Sequence, residues 1–521
     1  MDPLIRPIPR ERLFAPLEYA GKWWFDSDEA HPIYGRMRFV LGGNAELEFF
    51  DAARSQIQPP AGNAFSICGL SESNESVILF GAGLRKSTGS WKLNTRASVV
   101  TALFEYYDGW IGECKFTRKE DVVFDSVAIR VNNLEQWWGT TPVCVNGTPQ
   151  PSHFGGWIDS QSVNPLKVFT NDSVSITLQW TESVSRKEKG IIQTRATLDC
   201  VPEILIESRQ GKMPFYGKSH SFSYWLELCH DWFGLLIGPH AVLLDCWGLY
   251  RTEDEFPSET IACRRLWRQD ADEESAKIVD RNHIRFPYEA IAGNWEKCTE
   301  RFFGLPHNIH GFSGQMRYQQ LNPGVIPVSL IPSLVFIFEG LEETLYPAAN
   351  KAIRRQKKGA APTEPERFAI VWEDLKEIYP MLEGVETKLF SDLSEKRNAW
   401  SHGRDSGHED RDWSLNIYEA WWMWTFLSAM ILAHAGLPVP VIASCLNRLE
   451  WDYGDVCQRL RHSLAALPDR PDQREQKRTH PSAPPHPTLL VSPSQVNPVG
   501  DSTDSLPASN PQESTSHLKS P

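Results

Sequence analysis

The stretch IPSLVFIFEGLEETLYP, residues 331–347, marks the point at which the sequence changes from β-strand to α-helix patterns. Its apolar residues recur at the spacing of one helix face, at positions 334, 337, 338, 341 and 345. Ser333 has the side chain of a helix N-cap, and Pro347 is a typical stop signal. The stretch therefore predicts the first helix of an α-helical region.

Short alternating or β-branched runs dominate the sequence before this stretch, from about residue 20 to about residue 290. They are bounded by Gly, Pro, Asn, Asp or Ser, which is typical of strands and turns. The clearest runs are GRMRFVL (35–41), AELEFF (45–50), ESVILFGAG (75–83), VVFDSVAIRV (122–131), SVSITLQW (173–180), IIQTRATL (191–198) and HAVLLDCWGLY (240–250). One helical turn is expected at NLEQWWG (133–139). So many short strands predict a β-rich region that resembles a sandwich or a barrel.

Further helices are predicted after residue 347. The segments are PERFAIVWEDLKEIYPMLEGVETKLFSDLSEKRNAW (365–400), WSLNIYEAWWMWTFLSAMILAHAG (413–436) and PVIASCLNRLEWDYGDVCQRLRHSL (440–464). Residues 420–446 contain no Asp, Glu, Lys or Arg, and this length is sufficient to cross a bilayer, which takes about 20 apolar residues. Because Gly436, Pro438 and Pro440 interrupt the segment, we favour a buried helix over a membrane span.

The complete pattern predicts an α+β multidomain protein, in which a β-rich N-terminal region precedes an all-α helical bundle and a disordered C-terminal tail. We predict an N-terminal arm at residues 1–19, the β-rich domain at 20–295, the helical domain at 296–465 and the tail at 466–521. The tail is rich in Pro, Ser, Asn and Gln. Such a composition cannot bury enough apolar surface to offset the entropy lost on ordering.

Charge and cysteine content restrict the class of protein. The net charge of −13 argues against a general nucleic-acid coat but not against one local basic site. None of the ten cysteines forms a C-x-x-C pair, which excludes a zinc ribbon, and scattered thiols are typical of a reducing compartment. The N-terminal residues 1–24 carry charges and prolines where a signal peptide needs an apolar core. The sequence therefore predicts a cytoplasmic protein.

The segment SEKRNAWSHGRD, residues 394–405, carries the candidate catalytic residues. Arg397 offers a permanent charge and a planar fork of donors suited to a phosphate. Asn398 can donate and accept hydrogen bonds, and His402 is of the residue type whose protonation changes near neutral pH. On a regular helix, Arg397 and His402 would point about 140° apart. A helix that breaks, frays or begins between them would bring both to one phosphate, and Gly403 favours such a break.

These side chains suffice for metal-independent cleavage of RNA. A base removes the proton of the ribose 2′-OH, which attacks the adjacent phosphate, and an acid protonates the leaving 5′-oxygen. The arginine stabilises the charge on the phosphoryl oxygens. No acidic metal cluster accompanies the motif in the sequence, so we predict neither a metal nor a cofactor. The alternative is a solvated loop in which an arginine and a histidine occur at this spacing by chance.

RNAWSHG (397–403) resembles the R-x4–6-H motif of HEPN domains, the higher eukaryote and prokaryote nucleotide-binding family. The segments GKWWFDSDEAHPIYGRMRFVLGGNAELEFFD (21–51) and FDSVAIRVNNLEQWWG (124–139) resemble the domain that precedes such modules in ApeA-type anti-phage proteins. The resemblance implies a β-rich sensing domain fused to a HEPN ribonuclease, with Arg397, Asn398 and His402 as its catalytic residues. It also implies an RNA substrate such as tRNA, abortive anti-phage defence, a phage-derived trigger, and a homodimer or higher homo-oligomer.

Further candidate residues follow from the family and from local charge. In some HEPN domains an acidic residue of the first bundle helix pairs with the motif arginine, so Glu339 is an orienting candidate, and its alternative is an ordinary surface glutamate. The basic candidates for RNA binding are Lys351, Arg354, Arg355, Lys357, Lys358 and Arg404. The alternative for the run at 351–358 is a solvated interhelical loop. We expect Trp400 to pack into the bundle.

Two other functions are compatible with the sequence. One is a non-catalytic HEPN module that binds a nucleotide or a partner protein. The other is a membrane-associated sensor anchored by residues 420–446. Cleavage of RNA in the absence of metal would distinguish the ribonuclease from both of these alternatives.

Overall fold

The computed structural model describes residues 13–25, 29–41, 45–53, 65–91, 98–113, 116, 118–140, 143–146, 157–160, 163–189, 193–217, 219–251, 260–267, 276–306, 309–311, 327–357, 359–402, 413–449 and 453–466. All of these residues belong to one compact unit that ends at Leu467. The tail predicted at 466–521 therefore lies outside the described residues, apart from its first position. The boundary predicted between residues 295 and 296 stays a prediction.

The β-rich prediction for the N-terminal region is confirmed. The strands are β1 (Leu17–Phe25), β2 (Ile33–Phe39), β3 (Ala45–Ala53), β4 (Ser66–Ser71), β5 (Ser76–Phe80), β6 (Gly83–Trp91), β7 (Ser98–Glu105), β8 (Asp108–Gly112), β9 (Val123–Phe124), β10 (Ser126–Val131), β11 (Val143–Asn146), β12 (Trp157–Ser160), β13 (Leu166–Thr170), β14 (Val174–Lys189), β15 (Gln193–Ser208), β16 (Met213–Pro214), β17 (Leu243–Arg251) and β18 (Thr260–Trp267). Fourteen of them form one antiparallel sheet, in the order β13-β14-β15-β10-β17-β18-β8-β5-β4-β1-β2-β3-β7-β6. Each run predicted from the sequence contributes to a strand of this sheet or to β9.

The middle of the sheet is buried on both faces. In β5, Val77 and Leu79 belong to one apolar cluster, whereas Ile78 and Phe80 belong to the other. This division follows from the period of two residues by which side chains alternate across a strand. One cluster continues from the sheet into the C-terminal helices, as far as Leu464. The sheet and the helices therefore share a core.

The C-terminal part is helical, as predicted. In the described residues the α-helices are α1 (Leu134–Trp138), α2 (Phe222–Ile237), α3 (Tyr288–Ile291), α4 (Trp295–Phe303), α5 (Pro327–Leu345), α6 (Pro347–Gln356), α7 (Glu364–Leu375), α8 (Glu386–Ser401), α9 (Trp413–His434), α10 (Val439–Arg448) and α11 (Tyr453–Ala466). The turn expected at 133–139 is α1. α2 was not predicted, and it lies within the region assigned to strands.

The start predicted for the first bundle helix is wrong. α5 begins no later than Pro327, so Ser333 lies inside the helix and does not cap it. Pro332 also lies within α5, in its second turn. The stop is confirmed, because α5 ends at Leu345 and Pro347 occupies the first turn of α6, where a proline costs no backbone hydrogen bond.

Residues 420–446 divide between α9 and α10. Gly436 adopts a positive φ of 92° two residues after α9 ends, which is a common helix stop. Trp422, Phe426 and Met430 are fully buried inside the bundle. No helix in the described ranges has the length and apolarity needed to cross a membrane.

A column of aromatic rings fixes three helices of the bundle. Phe338 of α5 stacks on Phe368 of α7, with ring centroids 4.0 Å apart. Phe368 stacks in turn on Phe390 of α8, at 5.3 Å. Glu339 follows Phe338 directly, Glu364 lies one turn before Phe368, and Arg397 lies two turns after Phe390. The column therefore sets the mutual positions of the helices that carry these three charges.

Candidate active site

Arg397 lies between two carboxylates from two other helices. Its Nη2 atom is 3.1 Å from Glu339 Oε2 of α5, and its Nη1 atom is 3.3 Å from Glu364 Oε1 of α7. All three side chains are largely buried, with exposed fractions of 22% for Arg397, 20% for Glu339 and 11% for Glu364. Burial raises the pKa of Glu364, and the positive charge of Arg397 opposes this shift. One positive charge thus faces two acidic groups.

Two further groups orient the guanidinium. Asn398 Oδ1 accepts a hydrogen bond of 3.2 Å from Arg397 Nη1. The Cζ atom of Arg397 lies 4.7 Å from the ring centroid of Phe336, within the range of a cation–π contact. The structure therefore brings together Arg397, Asn398 and Glu339 as the sequence analysis expected, and it adds Phe336 and Glu364.

The helix does not break between Arg397 and His402. α8 continues to Ser401, and the His402 backbone N–H still donates to Asn398 O at 3.1 Å. The His402 side chain is exposed and makes no hydrogen bond or ion pair with another described residue. Arg397 and His402 therefore keep the angular separation of a regular helix, close to 140°.

The basic helix α6 borders the arginine cluster. Arg354 Nη2 lies 3.6 Å from Glu343 Oε1, which is one turn beyond Glu339 on α5. Lys357 Nζ lies 2.5 Å from Glu366 Oε2, two residues after Glu364. Lys351 and Arg355 are also exposed on α6 and form no ion pair with another described residue. The other two candidate RNA-binding residues, Lys358 and Arg404, lie outside the described residues.

Glu364 was not predicted as a site residue, although the sequence around it carries a local signal. The run TEPE (363–366) is a capping box, in which Thr363 and Glu366 bond reciprocally at the start of α7. This cap makes Glu364 the first residue of the helix. A capping box predicts where the helix begins, but not which side chain of another helix Glu364 contacts.

A second buried charge cluster joins α8 to α9, and the sequence analysis missed it as well. Lys396 Nζ contacts Asp392 Oδ2 at 2.6 Å on its own helix and Glu419 Oε2 on α9. The Glu419 side chain is fully buried. Burial raises the pKa of Glu419 to about 8, against the opposing effect of Lys396. The sequence signal was a lone glutamate at the edge of the uncharged segment.

A cavity of about 360 Å³ lies apart from the arginine cluster. Its lining includes Lys277 and Arg285 from the segment after β18, and Trp421 and Thr425 from α9. Asp280 also lines the cavity, which therefore combines cationic, acidic and aromatic side chains. In the part of the chain that the structure describes, no three His, Cys, Asp or Glu side chains are grouped as metal ligands.

Comparison with known families assigns the N-terminal region. Residues 18–213 match the model of ApeA N-terminal domain 1. The N-terminal region is ApeA-like. The ApeA-type domain spans β1 to β15, whereas the helices that carry Arg397 and His402 lie outside the matched residues. Neither the curated proteins nor the solved structures contain a significant match to the chain.

Proposed function

We propose that the chain is a metal-independent endoribonuclease of the HEPN type, with Arg397, Asn398 and His402 at its active site. The observation that carries the proposal is the buried clamp on Arg397, which presents a guanidinium beside Asn398 near the end of α8. Two carboxylates and an aromatic ring hold this side chain. An arginine that only keeps a helix soluble needs no such clamp.

In the proposed reaction, the neutral imidazole of one His402 removes the proton from the 2′-OH of the RNA. The 2′-oxygen then attacks the adjacent phosphorus, and the bond to the 5′-oxygen breaks. A protonated imidazole gives its proton to that 5′-oxygen. Arg397 stabilises the negative charge on the phosphoryl oxygens during the attack. The products are a 2′,3′-cyclic phosphate and a 5′-hydroxyl end.

The reaction needs a base and an acid, whereas each chain supplies one His402 to the motif. Within one chain, the regular end of α8 directs Arg397 and His402 apart. A homodimer or higher homo-oligomer that faces two α8 ends across one cleft supplies both histidines and both arginines. We therefore propose a composite site.

The basic residues of α6 are proposed to hold the RNA backbone. Lys351 and Arg355 are exposed beside the arginine cluster and can contact phosphates flanking the cleavage position. Structured RNA such as tRNA is the proposed substrate class. The ApeA-type domain supports a role in abortive anti-phage defence, with a phage-derived trigger sensed in the cytoplasm.

The test is incubation of the purified protein with total tRNA in EDTA, beside Arg397→Ala and His402→Ala. We expect the wild type to cut the RNA and to leave 2′,3′-cyclic phosphate ends. Both variants should lose at least about a hundredfold in rate, since general acid–base catalysis contributes about 10² to 10⁴. Glu373→Gln, an exposed change on α7, is the control.

Two results contradict the proposal. One is cutting that EDTA abolishes, and the other is equal cutting by the wild type and both variants. If the wild type leaves tRNA intact and ATP raises its unfolding temperature, the alternative of a nucleotide-binding module is favoured, through the cavity beside Trp421.

A further inference from the structure

Trp400 does not pack into the bundle, contrary to the expectation from the sequence. Its side chain is 56% exposed, although it lies three residues after Arg397 and two before His402. Phe336 of α5 is 40% exposed and contacts Trp400 edge to face, with ring centroids 6.2 Å apart. Two large aromatic side chains at the end of α8 are therefore exposed to solvent, although burial would stabilise them.

The two rings continue directly from the arginine clamp. Phe336 contacts the guanidinium of Arg397 on one side and the Trp400 ring on the other. In RNA, one ribose joins each phosphate to a flat base, so a surface that binds a base must lie beside a group that binds a phosphate. Phe336 and Trp400 meet this requirement.

We propose that Phe336 and Trp400 form a stacking site for an unpaired base of the RNA next to the cleaved phosphate. This inference rests on the proposed ribonuclease function. Proteins that recognise single-stranded RNA stack its bases on aromatic side chains. Trp400 is the more exposed ring and makes most of the contact with the base. Phe336 packs against the Trp400 ring on one side and against the Arg397 guanidinium on the other.

The charges near the rings favour RNA over an apolar partner surface. The cationic side chains of Arg397 and of α6 lie on the same side of the bundle as the rings, as the ion pairs to Glu339 and Glu343 establish. A polyanion with flat bases complements both the cations and the rings, whereas an apolar protein surface would complement only the rings. The occupant is therefore a loop or another unpaired segment of RNA.

The test uses a short single-stranded RNA that carries 2-aminopurine and 2′-O-methyl groups, so that the proposed attack cannot occur. We expect the wild type to quench the 2-aminopurine fluorescence. Trp400→Ala should remove the quenching and weaken binding about tenfold, since stacking on an aromatic contributes about 1–3 kcal/mol per base. Trp400→Phe should retain most of the binding.

Tyr34→Ala is the matched control. Tyr34 is 62% exposed on β2, where its ring centroid lies 5.9 Å from Lys22 Nζ, and it lies within the residues that match the ApeA N-terminal domain. This variant should bind the probe like the wild type. A probe with an abasic position in place of the 2-aminopurine separates stacking from a general loss of affinity, because it should bind wild type and Trp400→Ala equally.

The outcomes distinguish this inference from the function on which it rests. If the wild type cuts tRNA but Trp400→Ala binds the fluorescent probe equally well, the stacking site is wrong and the ribonuclease stands. If the wild type binds no RNA, both proposals fail. If Trp400→Ala turns an oligomer into a monomer in sedimentation while leaving the quenching intact, a second copy covers the rings and the stacking site is overturned.

Discussion

Arg397 is the residue at which charge balance and the proposed catalysis compete. Its guanidinium faces Glu339 at 3.1 Å and Glu364 at 3.3 Å, so a phosphate must approach two negative charges to reach it. The carboxylates fix the arginine before substrate binds, which limits the entropy lost on binding. They also repel the substrate. In the proposed ribonuclease, the second carboxylate, Glu364, is therefore expected to lower RNA affinity as long as it is ionised.

Glu364→Gln tests this balance. The amide keeps the size and the acceptor oxygen of the side chain but removes one negative charge. We expect KM for RNA to fall about fivefold, which corresponds to about 1 kcal/mol for one partly screened charge interaction. Steady-state cleavage at two salt concentrations measures the effect, which should shrink as salt rises. An unchanged KM, or a loss of kcat, would contradict the prediction.

At the scale of elements, the buried cluster of Asp392, Lys396 and Glu419 ties α8 to α9. These are the helices on either side of the segment that follows the motif. Burial raises the pKa of Glu419 to about 8, above that of an unfolded glutamate. The folded state therefore keeps a proton that the unfolded state releases. This contribution to stability is complete below the pKa of unfolded glutamate and is lost as pH rises through about 8.

Glu419→Gln should flatten the pH dependence of stability. Between pH 6 and pH 8, we expect the free energy of unfolding of the wild type to fall faster than that of the variant, by at most about 1.4 kcal/mol per pH unit. Urea unfolding at each pH measures this difference. Glu203→Gln is the matched control. Burial raises the pKa of that sheet residue to about 7. Its contribution to the fall in stability should therefore end near pH 7, whereas that of Glu419 should continue to about pH 8. Parallel curves for the wild type and Glu419→Gln would refute the prediction.

The elements differ in how far the sequence predicts them. The alternating residues of β2 and the apolar or β-branched runs of β5 and β15 are local patterns, and each strand appeared where the pattern indicated. α2 was missed because FSYWLELCHDWFGLLI (222–237) is apolar on nearly every side and lies between strands, so it shows no distinct polar face.

The candidate site was only partly predictable for a related reason. Arg397 and His402 were found through a motif, and Glu339 through the family resemblance. Helix packing brings Glu364 to Arg397, 33 residues away in the chain, and Glu419 to Lys396, 23 residues away. No local sequence pattern predicts contacts over such distances. Trp400 was assigned to the core because tryptophan is usually buried, and its exposure follows from the position of α8 beside α5.

At the scale of the whole molecule, the regular end of α8 decides whether one chain can form the proposed active site alone. A helix that is unbroken through Ser401 directs Arg397 and His402 to different sides. The proposed composite site therefore brings the Arg397 and His402 side chains of two copies together in one cleft. In an isologous dimer the two α8 ends would contribute equally to that cleft, with one histidine each.

Co-expression of wild-type and His402→Ala chains tests whether one cleft uses both histidines. Random pairing of equal amounts gives one quarter wild-type dimers, one half mixed dimers and one quarter variant dimers. If the cleft needs a histidine from each copy, only the wild-type dimers cut, so activity should fall to about a quarter of that of the same amount of wild-type protein. If each chain acts alone, every wild-type chain stays active and about half of the activity should remain. Two affinity tags, one on each kind of chain, isolate the mixed dimers, and tRNA cleavage in EDTA then measures their activity directly. We expect the mixed dimers to be at the background of His402→Ala, and a value near half that of wild-type dimers would rule the composite site out.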